Sequence, residues 1–211
     1  RCAIVTGVQT CALPISKIRI GKLQDEPIHL KKGDKVILTT EDIEGSESII
    51  PVNYTRLPES IVPGRPVYLN DGFIQLNCLG VLDKRVECEV VIGGPLSSNK
   101  GMNLPGSKIL LEPVTERDLD IVDFALNEGV DIFSVSFIEK ADDIQKIRNH
   151  AKNRDRSVFI VSKIEREEAV KNIDEILGVT DGLMIARGDL GVEIPIQNVP
   201  VVQKELTHKA N

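Results

Sequence analysis

Val158-Phe-Ile-Val-Ser-Lys-Ile-Glu165 and Gly182-Leu-Met-Ile-Ala-Arg-Gly-Asp-Leu-Gly191 are two apolar runs, each ending abruptly in charged residues and glycine. Val158–Val161 and Leu183–Ala186 are too short and too β-branched for helices and read as fully buried strands. Between them Ala169, Val170, Ile173, Ile176 and Leu177 recur at helical spacing, which predicts a helix over Arg166–Leu177. Strand, helix, strand of this length is a βαβ unit, with a parallel sheet and a right-handed crossover. In such sheets ligands are handled beyond the carboxyl ends of the strands. Those ends carry Lys163, Glu165, Arg187 and Asp189.

The same alternation extends outward on both sides. Thr115 reads as a helix N-cap with Asp118 as its capping-box acid, and Gly129 stops that helix. Leu119, Val122, Phe124, Ala125 and Leu126 are assigned to its inner face. Asp131–Phe137 follows as a strand, Ala141–Asn153 as a helix packed through Ile144, Ile147 and Ala151, and a last helix starts near Val199 with Pro200 in its first turn. Strands centred near Phe133, Ile160 and Met184 recur every 24 to 27 residues, as βα units do. Three units close nothing, so the fold is expected to be cut short at Asn211.

The first half is β-patterned. Lys17–Leu23, the two arms of Ile28–Thr40 about Lys32-Gly33-Asp34, Ser48–Val52 and Pro66–Leu69 are strand candidates. Phe73–Leu82 and Arg85–Ile92 make a hairpin about Asp83-Lys84, with Gly80 marking a bulge. Short strands at this spacing suggest a small barrel or sandwich. Arg1–Ser16 matches neither pattern and lacks an initiator Met; it reads equally as a foreign stretch or a disordered tail. The domain expectation is therefore 1–16 foreign or disordered, 17–108 β-rich, and 109–211 βα units.

Composition narrows the function classes. A formal charge of −6 with scattered Lys and Arg leaves no basic face for nucleic acid. No apolar run approaches the ~20 residues that span a bilayer. Cys2, Cys11, Cys78 and Cys88 lack zinc-type spacing, and Cys78 and Cys88 on adjacent apolar runs read as buried thiols of a reducing cytoplasm. His29, His150 and His208 show no metal-ligand spacing.

Lys163 and Glu165 lie two apart on an extended segment, so both side chains share one face. A compact cation beside a carboxylate suits a site where a metal meets a transferring anion. Asp189 would add a second carboxylate, and one or two carboxylates plus substrate oxygens is how Mg²⁺ is usually held. Gly188 and Gly191 let backbone approach a ligand closely. By spacing alone the same residues also read as a strand-end ion pair with a helix-capping Glu. Ser134 and Ser136 flank an earlier strand end, while Arg19 and Lys100 are candidate phosphate contacts or ordinary solvated cations.

These motifs resemble the pyruvate kinase family. The resemblance rests on Ser162-Lys-Ile-Glu165, Asp174-Glu-Ile-Leu177, Asp181–Pro195, Lys100-Gly-Met-Asn-Leu-Pro-Gly106, Val135-Ser-Phe137, Tyr68-Leu-Asn-Asp-Gly72 and Lys17-Ile-Arg-Ile-Gly21, and covers Lys17–Asn211. It implies an α/β fold: a partial (β/α)8 TIM barrel with an inserted small β-barrel domain that closes over the site. It implies transfer of the phosphoryl group of phosphoenolpyruvate to ADP, giving pyruvate and ATP, in a cytoplasmic glycolytic homotetramer. By position, Lys163 stabilises the transferring phosphoryl and the enolate, Glu165 and Asp189 hold Mg²⁺ (or Mn²⁺), Gly188 and Asp189 meet the substrate carboxylate, and Arg19 and Lys100 hold nucleotide phosphates. Leu13-Pro14-Ile15-Ser16 stands where the family carries Asp-Thr-Lys-Gly-Pro, so the ligands of the expected K⁺ are missing and the chain reads as an internal fragment, inactive alone. The rival readings are a Mg²⁺-dependent lyase or aldolase on a related barrel, disfavoured by the β-rich insert, and a non-catalytic fragment or binding module.

Overall fold

The computed structural model describes residues 10–13, 17–107, 109–110 and 114–211. Two compact units divide the chain, Lys17–Leu111 and Arg1–Ser16 with Glu112–Asn211. The stretch expected to be foreign or disordered lies outside the described residues except for Thr10–Leu13, which forms strand β1.

The Lys17–Leu111 unit contains β2 (Ile28–Leu30), β3 (Lys35–Thr39), β4 (Ile49–Pro51), the short helix α1 (Leu57–Ser60), β5 (Pro66–Leu69), β6 (Ile74–Leu82), β7 (Arg85–Ile92), β8 (Gly94–Leu96) and β9 (Met102–Asn103). A six-stranded sheet runs β4-β3-β7-β6-β5-β9, and β2 pairs separately with β8. Alternation of side chains sends Ile74, Leu76 and Cys78 of β6, and Val86, Cys88 and Val90 of β7, into one core. The expected hairpin turns at Asp83-Lys84, with Asp83 in the left-handed region at φ 50°. Its register jumps from Cys78 opposite Cys88 to Gly80 opposite Glu87, so the bulge falls on Leu79, beside the glycine. Lys17–Leu23 departs from the strand expectation. It makes only isolated bridges, Arg19 with Gly101, Ile20 with Val52 and Leu23 with Gly45; Ile18 and Ile20 are buried in alternation, and Leu23, buried three residues on, breaks that period.

In the other unit, α2 (Glu116–Asn127), β10 (Ile132–Val135), α3 (Ala141–Lys152), β11 (Phe159–Ile164), α4 (Glu167–Lys171), α5 (Ile173–Leu177), β12 (Gly182–Ile185), α6 (Arg187–Glu193) and α7 (Val199–Ala210) follow in order. Strands β1, β10, β11 and β12 form one all-parallel sheet. Its helix-side face buries Phe133, Val135, Ile160 and Ile164 against Val122, Ile144, Ile147, Ala169 and Ile176. The strands are not buried on both faces as expected. Phe159 and Met184, on the other face, are each 47% exposed, because the helices cover one side only.

Two helix expectations also change. The pattern over Arg166–Leu177 forms α4 and α5, broken at Asn172, whose backbone leaves the helical region (φ −95°, ψ 18°) and whose amide Nδ2 donates to Glu139 O at 2.9 Å. Ala169, Ile173 and Ile176 stay buried across the break, so the apolar spacing does not reveal it. Phe124, assigned to the inner face of α2, is 68% exposed. Five residues on from Leu119, it lies on the far side of a 3.6-residue period.

The N-terminus of α2 is capped as its sequence predicts. Asp118 N–H donates to Thr115 Oγ1 at 3.3 Å, and Thr115 N–H donates to Asp118 Oδ2 at 2.8 Å. Thr115→Ala removes one of these bonds and is expected to cost about 1 kcal/mol. The urea midpoint of the chain falls accordingly, while Thr115→Ser retains it. Equal midpoints for all three proteins would contradict the cap's role.

Candidate active site

The extended backbone of β11 carries Lys163 and Glu165 out on one side, and their side chains meet. Lys163 Nζ lies 2.6 Å from Glu165 Oε1. Glu165 is 1% exposed, so its carboxylate has almost no water to solvate it. Its second oxygen, Oε2, accepts the Phe137 backbone N–H at 2.9 Å. Phe137 follows β10 in the left-handed region at φ 51°, a conformation that costs a bulky residue on the order of 1–3 kcal/mol. A hydrogen bond to a buried charge, worth about 1.5–3 kcal/mol, offsets that cost.

Lys163 Nζ also donates to Ser136 Oγ at 2.9 Å. Ser136 stands just past the end of β10, beside the end of β11, because the two strands pair in parallel from Ile132 opposite Phe159 to Val135 opposite Ser162. Two of the three ammonium donors are thus engaged. Lys163 remains partly exposed, on the face left open by the helices. Ser134, one pleat back, sits opposite Val161 and is not part of this cluster.

The flanking charges are tied up elsewhere. Arg166 pairs with Glu139, whose carboxyl is pushed up chiefly by burial, against the pull of the Arg166 guanidinium. Asp181 Oδ2 accepts from Ile160 N at 2.8 Å and Arg148 Nη2 at 2.6 Å, which pins the start of β12. Gly182 belongs to that docking: a Cβ there would lie 3.3 Å from the Phe159 ring.

Asp189 does not end a strand. Strand β12 stops at Ile185, and Arg187, Gly188 and Asp189 form the first turn of α6, a helix that the two glycines concealed. Asp189 is half-buried, and Arg187 and Gly188 are exposed. The two glycines differ in kind. A Cβ on Gly188 would meet nothing within 4 Å, whereas one on Gly191 would lie 2.7 Å from Ile196 Cδ1. Gly191 serves packing; Gly188 leaves open space beside the first turn. Among the described residues no group of three or more His, Cys, Asp or Glu could hold a metal.

In the Lys17–Leu111 unit, folding brings Arg19 and Lys100 side by side from distant sequence. Arg19 bridges Gly101, Ile20 N–H donates to Lys100 O at 3.0 Å, and both cationic side chains are exposed. Arg19 is held by two asparagines that sequence reading missed. Its N–H donates to Asn53 Oδ1 at 2.8 Å, and its Nη1 donates to Asn99 O at 2.9 Å. Lys17 lies across Gly101, where a Cβ would come within 2.5 Å of its Cε, and reaches Asp71 Oδ1 at 3.0 Å.

Comparison with known families decides the kinship. The model of the pyruvate kinase barrel domain matches residues 6–211. The chain belongs to the pyruvate kinase family. The pyruvate kinase of Thermococcus litoralis is 46% identical over 199 residues, which cover 94% of this chain and 42% of that protein. That of Thermotoga maritima is 38% identical over 190 residues, 90% of this chain and 41% of that protein. The crystal structure of a pyruvate kinase from Cryptosporidium parvum superposes with a TM-score of 0.87 at 35% identity, over 95% of this chain and 42% of the other. The chain therefore spans less than half the length of these pyruvate kinases. Among its described residues, no helix is long and apolar enough to cross a membrane.

The contrast between the glycines is testable by melting. Gly191→Ala is expected to lower the melting temperature, since Ile196 must move. Gly188→Ala, at an open helical position, is expected to match or slightly exceed the parent. The reverse order would contradict this assignment.

Proposed function

We propose that the whole protein transfers the phosphoryl group of phosphoenolpyruvate to ADP, giving pyruvate and ATP in glycolysis, in the cytoplasm and as a homotetramer. The observation that carries the reading is the buried Glu165 carboxylate with the Lys163 ammonium held against it, within a chain that matches the family along most of its length. The same reading makes the parallel sheet part of a (β/α)8 barrel and the Lys17–Leu111 unit an inserted β-barrel lid. The chain alone, which covers 42% of the Thermococcus litoralis protein, is expected to lack turnover.

Phosphoryl transfer needs positioning and charge stabilisation more than covalent help from the protein. Lys163 supplies both: Ser136 and Glu165 fix its ammonium, and the remaining donor is available to the oxygens of the transferring phosphoryl and the developing enolate. Arg19 and Lys100, brought together by the bridge of Arg19 to Gly101 and the bond from Ile20 N–H to Lys100 O, hold the nucleotide phosphates. Gly188 and Asp189 receive the substrate carboxylate at the first turn of α6, where the missing Cβ of Gly188 leaves room.

The donor set fits a hard divalent cation. Glu165 already holds a cation, its own lysine, and Asp189 lies in the first turn of α6, the helix that follows the next strand. Glu165 and Asp189 would hold Mg²⁺ or Mn²⁺ with waters completing the shell. Bound there, the ion would neutralise charge on phosphoryl and enolate oxygens. K⁺ belongs to the same reading, with no ligand assigned to it among the described residues.

In the full-length protein, Lys163→Met is expected to reduce turnover by about a thousandfold or more. Mn²⁺ affinity, followed by its paramagnetic signal, should remain, because both carboxylates are still present. Near-normal turnover in a folded variant would sink the role given to Lys163.

A further inference from the structure

Cys78 and Cys88 take no part in this chemistry, yet the sheet sets them face to face. They are register partners on adjacent antiparallel strands, β6 and β7, and both are free thiols 1% exposed on the same inward face. The hydrogen bonds of Cys78 show which kind of pair this is. Its N–H donates to Arg65 O at 2.9 Å and its carbonyl accepts from Gly64 N–H at 2.8 Å, so both backbone groups point away from β7. Opposite Cys88, it therefore occupies a non-hydrogen-bonded site, where facing Cα atoms come to about 4.5 Å and side chains lie closest. That separation falls inside the range of about 4.4–6.8 Å that a disulfide spans.

We propose that Cys78 and Cys88 are an oxidation site, a dithiol that a two-electron oxidant closes into a disulfide across the β6–β7 hairpin. The reduced pair is inert by default. Burial pushes the Cys88 thiol up to about 12, the neighbouring Cys78 adding to the shift, and burial also raises Cys78. Closure thus waits on local opening, and the bulge at Leu79, which interrupts the ladder next to Cys78, is where opening is easiest. With a diazene such as diamide, one thiol adds across the N=N bond. The second sulfur then attacks the first, so the S–S bond forms as that S–N bond breaks. Two S–H bonds break, and the diazene leaves as a hydrazine carrying both hydrogens.

The test is made on the whole chain and does not depend on the catalytic reading. Native protein is incubated with diamide, remaining thiols are blocked, and tryptic peptides are mapped without reduction. Lys84 and Arg85 lie between the two cysteines, so the disulfide joins peptide 57–84 to peptide 86–100. The expected result is that linked pair as the main product, reversed by dithiothreitol, with a raised melting temperature in the oxidised protein. Cys88→Ser removes the product, and Cys11→Ser does not. The proposal is overturned if Cys78 and Cys88 stay fully alkylatable after an exposure that oxidises the urea-unfolded chain, or if either joins Cys2 or Cys11 instead.

Discussion

A carboxylate with 1% exposure is untenable without compensation, and the carboxyl end of the sheet is arranged around compensating Glu165. Lys163 supplies the countercharge and Phe137 a backbone donor. Each depends on something further away. The parallel register of β10 and β11 brings Ser136 and Phe137 level with Lys163 and Glu165. The helix-side core of Phe133, Val135, Ile160 and Ile164 holds that register, since a one-residue slip would turn every one of these side chains to the wrong face. The left-handed Phe137 is tolerated because its N–H then meets a buried charge.

The same logic separates scaffold from site elsewhere. Gly182 and Gly191 are small because Phe159 and Ile196 occupy the space beside them; Gly188 has no such neighbour. Arg166 and Arg148 satisfy Glu139 and Asp181, as Lys163 satisfies Glu165, whereas Arg19 and Lys100 are exposed.

Much of this was legible in the chain. Period-two alternation marked β6 and β7, Asp83-Lys84 marked their turn, and Thr115 with Asp118 marked a helix start, because each is a local rule with a local cause. The two-residue spacing of Lys163 and Glu165 placed them on one face for the same reason. Long-range and backbone features were hidden. The break at Asn172 preserves the apolar spacing on both sides. Helix α6 carries two glycines that argue against a helix. The positive φ of Phe137 and the bridge that sets Arg19 opposite Gly101, next to Lys100, leave no trace in either local pattern. Met184 and Phe159 misled because burial of a parallel strand on both faces was assumed, while helices cover one face here.

A double-mutant cycle on Lys163 and Glu165, read by urea unfolding of the chain with Lys163→Met, Glu165→Gln and both together, tests the central interaction most directly. If the ammonium is what makes the buried carboxylate tenable, Lys163→Met is strongly destabilising in the presence of Glu165 and far less so in the Glu165→Gln background. The coupling is then expected to reach about 2 kcal/mol or more. Single effects that add to within about 0.5 kcal/mol would contradict it, and would leave Glu165 held by the Phe137 amide alone.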